Sequence, residues 1–508
     1  MPRIKKVLVA NRGEIAIRVM RTCKELGLAT VAVYSEADRS ALHTRFADEA
    51  YCIGPAPSRE SYLVIDNVLE AAKKSGADAI HPGYGFLSEN AKFVRACEKA
   101  GVTFIGPPAS AMDAMGEKTH ARRNMIKAGV PVVPGTDAPF ANFDEAKAFA
   151  AKIGFPVMLK AAGGGGGKGM RRVDRAEDLE SAWRTAKSEA MSAFGNDAVY
   201  MEKFLDQPHH VEIQVFGDTH GNVIHLNERE CSAQRRNQKV VEETPSPILT
   251  PEMRAAMGEV AVRAAKAVNY VGAGTIEFLV DSKRNFYFLE MNTRLQVEHP
   301  VTEWVTGVDL VAWQLHVAQG GVLPILKPIQ PRGHSIEVRV YAEDPATNFM
   351  PAPGTISYVR VPSGPYVRDD SGVYAGYRVP NFYDPMISKL SVWAPTRMEA
   401  ILKMRRALDE YVLTGITTNL RYLKQILMHQ EFVGGNYDTG FLGREHQKLL
   451  GEEDPALTRA SMIAAAVRAH QRAEKAQAQI AKNTAGTGGS GISPWRTAGR
   501  RQAAWGKR

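Results

Sequence analysis

Along Glu290-Met-Asn-Thr-Arg-Leu-Gln-Val-Glu298, five residues able to do chemistry occupy every second position: Glu290, Asn292, Arg294, Gln296 and Glu298. In an extended segment alternate side chains share a face. One face would then present carboxylate, amide, guanidinium, amide and carboxylate. A solvated surface strand also alternates polar and apolar residues, but such strands favour Thr, Lys and Ser. This set reads as groups that hold a cation, clamp an anion and accept a proton. A partner lies upstream. Thr275–Glu290 reads as two strands around a polar turn at 282–285, which pairs Asp281 with Phe286 and sets Glu277 directly opposite Glu290. Directly opposed Cβ atoms lie about 5 Å apart, and two carboxylates that close repel unless a cation sits between them. Magnesium suits such a pair, with Asn292 on the same face as a further oxygen ligand and the remaining positions left to water and nucleotide phosphates. An exposed hairpin with solvated acids is the alternative; Phe278, Phe286 and Phe288 argue for a buried one. Fully extended, the row from Glu290 to Glu298 would span about 26 Å, too long for one phosphoryl-transfer centre. The backbone is therefore expected to leave strand geometry after Asn292.

A second signal is the run Gly163-Gly-Gly-Gly-Gly-Lys-Gly169. It fails the P-loop pattern, because Ala162 and Gly169 stand where Gly and Ser or Thr are required. It matches GxGxxG only as any run of glycines does. Both of those loops open a helix, whereas Met170-Arg-Arg-Val173 reads as a strand. The expectation is a hairpin flap whose bare backbone amides approach phosphate oxygens, with Lys160 and Lys168 adding charge. A disordered linker is the alternative.

These groups must be positioned by several elements. The 508 residues suffice for several domains, and 44% apolar with 23% charged residues is ordinary for a globular protein. Strands at 4–10, 30–34 and 79–81 with helices at 13–27 and 61–75 indicate a parallel α/β domain over 1–115. A second domain, 116–330, carries the glycine loop in a lid of about 132–204, then strands at 199–201, 211–217, 223–227, 273–280 and 286–291 and a helix at 251–268. A third, 331–446, opens with a strand at 335–342 and closes with helices near 396–411 and 419–430. The tail, 447–508, is an Ala-rich helix at 455–482, a Gly/Ser linker at 486–491 and a basic end. That end (Arg496, Arg500, Arg501, Lys507 and Arg508) supplies five of the nine net positive charges, so bulk charge does not argue for nucleic acid. No apolar run approaches a bilayer span, and the short apolar stretch near the start reads as a strand rather than a signal peptide. Cys23, Cys52, Cys97 and Cys231 show no CxxC spacing and read as reduced thiols. A cytoplasmic protein with no membrane and no nucleic-acid role is expected.

With these residues on the page, the chain resembles ATP-grasp enzymes of the biotin carboxylase kind. The resemblance rests on ANRGEIAIR (10–18), HPGYGFLSEN (81–90), KAAGGGGGKGM (160–170), HHVEIQV (209–215), ERECSAQRRNQKVVEE (228–243), EMNTRLQVEHPVTE (290–303) and YAEDP (341–345), in order over residues 3–446. It implies an ATP-grasp α/β fold with an N-terminal parallel α/β domain, a glycine-loop lid and an α+β C-terminal domain. By the resemblance, Lys118, Lys160 and Gly163, Gly164, Gly165, Gly166 and Gly167 contact nucleotide phosphates. Glu202, Lys203, His210 and Gln234 match positions around adenine and ribose, and Glu277 and Glu290 match metal ligands for magnesium or manganese. Lys239, Arg294, Gln296 and, through its backbone, Val297 match a bicarbonate pocket. Glu298 matches a general base, Arg339 the arginine that stabilises the biotin enolate, and Tyr84 lies in a loop bordering the biotin site. One departure stands out: Asn237 occupies a position where many members have His, so its phosphate contact cannot become cationic.

The implied activity is ATP- and bicarbonate-dependent carboxylation of biotin through carboxyphosphate, as the first half-reaction of an acyl-CoA carboxylase. A pyruvate or 2-oxoglutarate carboxylase, or another ATP-grasp carboxylate–amine ligase, is the alternative. No Met-Lys-Met biotinylation motif is present, so biotin is expected on a separate biotin carboxyl carrier protein. The other expected partners are a carboxyltransferase and a second copy of this chain in a homodimer, with the tail as a docking element.

Overall fold

The computed structural model describes residues 3–116, 118–162, 169–451 and 455–485. These fall into two compact units, 1–450 and 451–508. The first begins with a parallel sheet of five strands: β1 (Lys6–Val9), β2 (Ala29–Tyr34), β3 (Glu49–Cys52), β4 (Ala79–His81) and β5 (Thr103–Phe104), in the order β3-β2-β1-β4-β5. Successive strands run outward from β1 to β3, and the chain then returns to the other side of β1. The carboxyl ends of β1 and β4 therefore flank a topological switch point, where open α/β sheets leave a crevice. Asn11–Glu14 and Pro82–Phe86 leave the sheet at that crevice. The first of these turns enters helix Gly13–Glu25, with Gly13 at φ +65°.

The lid is a three-stranded antiparallel sheet, β6 (Val157–Ala161), β7 (Met170–Val173) and β8 (Val199–Lys203), in the order β7-β6-β8. Lys160 pairs with Met170, so the glycine run closes a hairpin between two strands and opens no helix. Gly163, Gly164, Gly165, Gly166 and Gly167, together with Lys168, lie outside the described residues. Helices Phe143–Ile153 and Leu179–Phe194 belong to the same subdomain, and Trp183 with Phe140 and Phe143 packs its core.

Eight strands form the central sheet: β9 (His209–Gly217), β10 (Val223–Arg235), β11 (Gln238–Thr244), β12 (Gly272–Val280), β13 (Phe286–Asn292), β14 (His334–Tyr341), β15 (Val367–Ser371) and β16 (Met386–Ala394). Their order is β13-β12-β9-β10-β11-β14-β16-β15, antiparallel throughout. The sheet runs straight through the expected boundary at 330, with Val241 on β11 paired to Val338 on β14. An open strand edge is a liability, and pairing of the third segment onto β11 removes it. Two strand readings need correction. β10 continues to Arg235 rather than ending at 227, and β11 was not anticipated. Both are rich in charged residues, and an apolar pattern cannot register a strand whose carboxylates and guanidinium are buried.

The second unit holds one described helix, Pro455–Ala485, three residues longer than expected, with its described side chains exposed. Residues 486–508 lie outside the described residues. No described helix is long and apolar enough to cross a membrane. All four cysteines are free; only Cys52 is exposed.

Candidate active site

The carboxylate pair comes from the β12–β13 hairpin, and Glu277 faces Glu290 as expected. The turn differs from the expectation. Val280, not Asp281, pairs with Phe286, and a bulge between Glu277 and Phe278 restores the register at the site. Asp281 instead organises the turn, its Oδ1 accepting from the backbone N–H groups of Lys283 and Asn285. A side chain that serves the loop cannot also serve a ladder pair. Glu277 is buried and heavily bonded: Lys239 Nζ at 2.9 Å, Asn292 Nδ2 at 2.8 Å, Gln296 Nε2 at 3.0 Å and His210 Nε2 at 3.0 Å. Burial by itself would push its carboxyl up, but Lys239 and His210 hold it well below the usual range. Asn292 gives its oxygen to Arg294 at 3.0 Å, so it turns a donor, not an acceptor, toward Glu277.

β13 ends at Asn292, where the backbone was expected to leave strand geometry. The chain then folds back and enters helix His299–Thr306 with Glu298 at its N-cap position, which compresses the row. Arg294 pairs with Glu89 at 2.9 Å. Lys389 Nζ donates to the Val297 carbonyl at 2.6 Å. Glu298 is buried between two cations, Lys239 at 2.6 Å and Arg339 at 3.0 Å. Burial opposes its charge, yet Lys239, Arg339 and Arg229 keep it ionised, well below the usual carboxylate range. The same three acids that surround Lys239 (Glu212, Glu277 and Glu298) outweigh its own burial and raise its pKa.

Beneath the row lies a group that sequence reasoning missed. Arg229 on β10 is fully buried and donates to five acceptors: Glu212 at 2.5 Å, Gln296 at 2.6 Å, Gln214 at 2.7 Å, Thr302 at 2.9 Å and Thr275 at 3.0 Å. Glu212 in turn holds Lys239 at 2.5 Å. The available signal was the period of two in His210, Glu212 and Gln214 against Val211, Ile213 and Val215, which marks one polar and one apolar face of β9. Glu89 and Glu242, which accept from Arg294 and Arg339, were also missed.

Toward the lid, Lys160 pairs with Glu202, which also meets Arg122 at 3.4 Å. The Lys203 ammonium donates to the carbonyls of Gly154 and Phe155, at 3.0 Å each. Lys118 begins a helix, and its side chain lies outside the described residues. Met158, Met170, Leu205, Leu279 and Leu289 supply apolar walls suited to a flat heteroaromatic ring. Burial disfavours a charged His210, but Glu277 outweighs it and raises the imidazole pKa. Gln234 pairs across the strands with Lys239. Asn237 sits at the tip of the β10–β11 hairpin, where Arg236 and Asn237 have φ +50° and +65° and Arg235 pairs with Gln238. Two left-handed residues make this a type I′ turn, a conformation that Asn tolerates better than most side chains.

On the opposite side Asn11 donates to the carbonyls of Pro82 and Tyr84 at 2.8 and 2.7 Å. The Tyr84 hydroxyl donates to Glu14. Lid, row and this loop line one cavity of about 920 Å³ that includes Lys160, Glu277, Glu290, Arg294, Glu298, Arg339 and Tyr84. A divalent cation fits its centre: two hard carboxylates face each other, and the Glu277 charge now neutralised by Lys239 and His210 is available to a metal.

Three family models match the chain. They are the biotin carboxylase N-terminal domain over residues 3–112, the ATP-binding domain of the carbamoyl-phosphate synthase L chain over 117–326 and the biotin carboxylase C-terminal domain over 337–444. Biotin carboxylase 1 of Bacillus subtilis is 53% identical over 441 residues, 86% of this chain and 98% of that protein. A pyruvate carboxylase subunit of Methanothermobacter thermautotrophicus is 56% identical over 439 residues, 86% of this chain and 89% of that protein. Among solved structures, an ATP complex of Campylobacter jejuni biotin carboxylase superposes with a TM-score of 0.85 at 51% identity, covering 87% of this chain and 99% of that one. The biotin carboxylase domain dimer of Hydrogenobacter thermophilus 2-oxoglutarate carboxylase, bound to MgADP, ADP and bicarbonate, gives 0.86 at 47%, covering 89% and 100%.

Proposed function

Because the chain belongs to the biotin carboxylase family and is an ATP-dependent ligase that carboxylates biotin, we propose that the 290–298 row and its cationic neighbours activate bicarbonate for that transfer. The observation that carries the reading is Glu298, ionised between Lys239 and Arg339. Arg294 and Lys239 hold the bicarbonate anion, the guanidinium by paired hydrogen bonds, with Gln296 and the Val297 backbone beside it. Glu298 accepts the bicarbonate proton, so that the freed oxygen attacks the γ-phosphorus of ATP and ADP leaves. Lys160, His210, Glu202, Lys203, Gln234 and Asn237 hold the nucleotide, with Lys118 and the glycine loop completing the phosphate contacts. Glu277 and Glu290, with Asn292 once its oxygen is released by Arg294, would hold magnesium or manganese, which supplies neutralisation of the phosphate charges. The carboxyphosphate so formed releases CO2 and phosphate. Arg339 stabilises the ureido oxygen of biotin while its deprotonated nitrogen takes up the CO2, and a closed lid keeps water away.

Bicarbonate-dependent ATP hydrolysis, measured with and without free biotin, tests this. Biotin should stimulate it, and Glu298→Gln should lower it by about 10²-fold or more. Stimulation by an amine instead of biotin would overturn the reading.

The physiological setting we infer is a cytoplasmic acyl-CoA carboxylase, with biotin on a separate carrier protein, a carboxyltransferase to receive the carboxyl group and a homodimer of this chain. A pyruvate or 2-oxoglutarate carboxylase is the second reading, since relatives of both kinds match at comparable identity. Residues 455–508 are assigned to docking of the carboxyltransferase or carrier, because the described part is an exposed helix bearing Met462, Ile463 and Val467. Co-purification of those partners with a chain ending at residue 450, undiminished, would refute that assignment.

A further inference from the structure

Lys389, near the middle of β16, has no place in the reaction above. Its side chain is wholly buried, at 0% exposure, so its ammonium must find its acceptors within the protein. Nζ donates to the Val297 carbonyl at 2.6 Å, lies 3.6 Å from Glu14 Oε1 and stands 5.9 Å above the Tyr84 ring. Cross-strand neighbours are Arg339 on β14 and Asp370 on β15. Glu337 and His299 also feel its charge. Glu14 lies in the first turn of helix Gly13–Glu25 and is itself buried. Its Oε1 accepts the Tyr84 hydroxyl, while Oε2 has no hydrogen-bond partner. The packing around it is tight: a Cβ at Gly372, just past β15, would meet the backbone nitrogen of Glu14 at 2.9 Å.

One ammonium therefore touches two things that the chemistry needs in fixed relation. The first is the Val297–Glu298 peptide, from which the proton acceptor springs. The second is the carboxylate that ties down the Tyr84 loop. Neutralising Asp370 alone would explain a buried lysine but not the short bond to the Val297 carbonyl, nor a buried Glu14 with an unpartnered oxygen in the cavity wall. We propose that Lys389 and Glu14 are positioning residues forming a strut that holds the Val297–Glu298 peptide, on the bicarbonate side, in register with the Tyr84 loop, on the biotin side. This rests on the functional reading above and deepens it: the strut acts through Glu298 and Tyr84 and touches no substrate. Its consequence is that the two half-sites do not vary independently. A displacement of about 1 Å at a reacting group costs on the order of 10²-fold in rate, so a shared anchor is a direct way to hold both.

Steady-state kinetics with ATP, bicarbonate and free biotin tests the strut. Lys389→Met should lower kcat for bicarbonate-dependent ATP cleavage without biotin and raise the biotin KM about tenfold, with the ATP KM moved less than about twofold. Glu14→Gln should raise the biotin KM about tenfold and leave the bicarbonate KM within about twofold. The double variant should raise the biotin KM no further than Lys389→Met alone, since the two residues act as one unit. Folded single variants with an unchanged biotin KM, or a double variant whose effects multiply, would overturn the proposal. If Lys389→Met does not fold, Glu14→Gln with Tyr84→Phe provides the same cycle: non-multiplying effects support the strut and multiplying effects overturn it. Wild-type protein without bicarbonate-dependent ATP cleavage would refute the functional reading itself. An active wild type with independent variants refutes the strut alone.

Discussion

Replacing Arg229 with Met removes the donor set on which the site floor is built. The guanidinium serves one carboxylate and four neutral acceptors, all inside the protein. Glu212 keeps Lys239 at 2.5 Å, so it is not left as a lone charge, but it loses half of its compensation. Breaking a buried ion pair from one side costs about 3–5 kcal/mol. Each stranded neutral acceptor adds about 1–3 kcal/mol in principle. The two amides can turn and the two threonine hydroxyls can re-aim, so the total should sit near the lower figure, about 4 kcal/mol. The functional consequence follows from Gln296, whose oxygen Arg229 fixes at 2.6 Å. Freed, Gln296 should raise the bicarbonate KM about tenfold while the ATP KM stays near its original value. Urea unfolding, read as midpoint shift times slope, measures the first effect and initial rates against bicarbonate the second. Arg229→Lys is the control. An ammonium has three donors for five acceptors, so it should recover part of the stability and little of the bicarbonate affinity. A loss below about 1 kcal/mol with an unchanged bicarbonate KM would refute the reasoning that Arg229 organises the row.

Further outcomes follow from other groups. Glu243 is held at about 2: burial alone would raise it, but His334 at 2.6 Å and the bidentate Arg397 at 2.7 and 2.8 Å reverse that. A depressed carboxyl stabilises the fold above its ordinary value of 4.5 and loses that contribution as pH falls toward about 2, on the order of 3 kcal/mol in all. Glu243→Gln should therefore flatten the decline in urea midpoint between neutral pH and pH 3, and an unaltered slope would count against it. Glu277→Gln removes one charge of the opposed pair and should raise the magnesium concentration needed for half-maximal ATP hydrolysis at least about tenfold; an unshifted magnesium curve would remove Glu277 from the metal site. At the hairpin tip, Asn237→Ala should destabilise by about 1 kcal/mol because an ordinary side chain resists φ +65°. Asn237→Gly should not destabilise, and equal effects of the two in urea unfolding would contradict the turn assignment.

Local chemistry and periodicity along the chain were enough to determine the parallel α/β start, the strand–loop–strand context of the glycine run and the facing of Glu277 by Glu290. Period-two alternation and turn residues act over a few neighbours, and those neighbours are adjacent in the chain. Length alone required the row to bend after Asn292, because a strand cannot be shorter than its rise per residue. The bulge that keeps the Glu277 register despite a longer turn lay beyond that reasoning, since Asp281 could serve either the turn or the ladder. Strands β10 and β11 escaped for a related reason. Glu228, Arg229, Glu230, Glu242 and Glu243 read as solvated breaks until partners distant in sequence bury and pair them. Only the tertiary structure brings Glu89 to Arg294, Arg229 to Gln296, Glu242 to Arg339 and Lys389 to Val297. A charge offsets its desolvation only against partners within a few ångströms, and which partners those are depends on how distant segments pack.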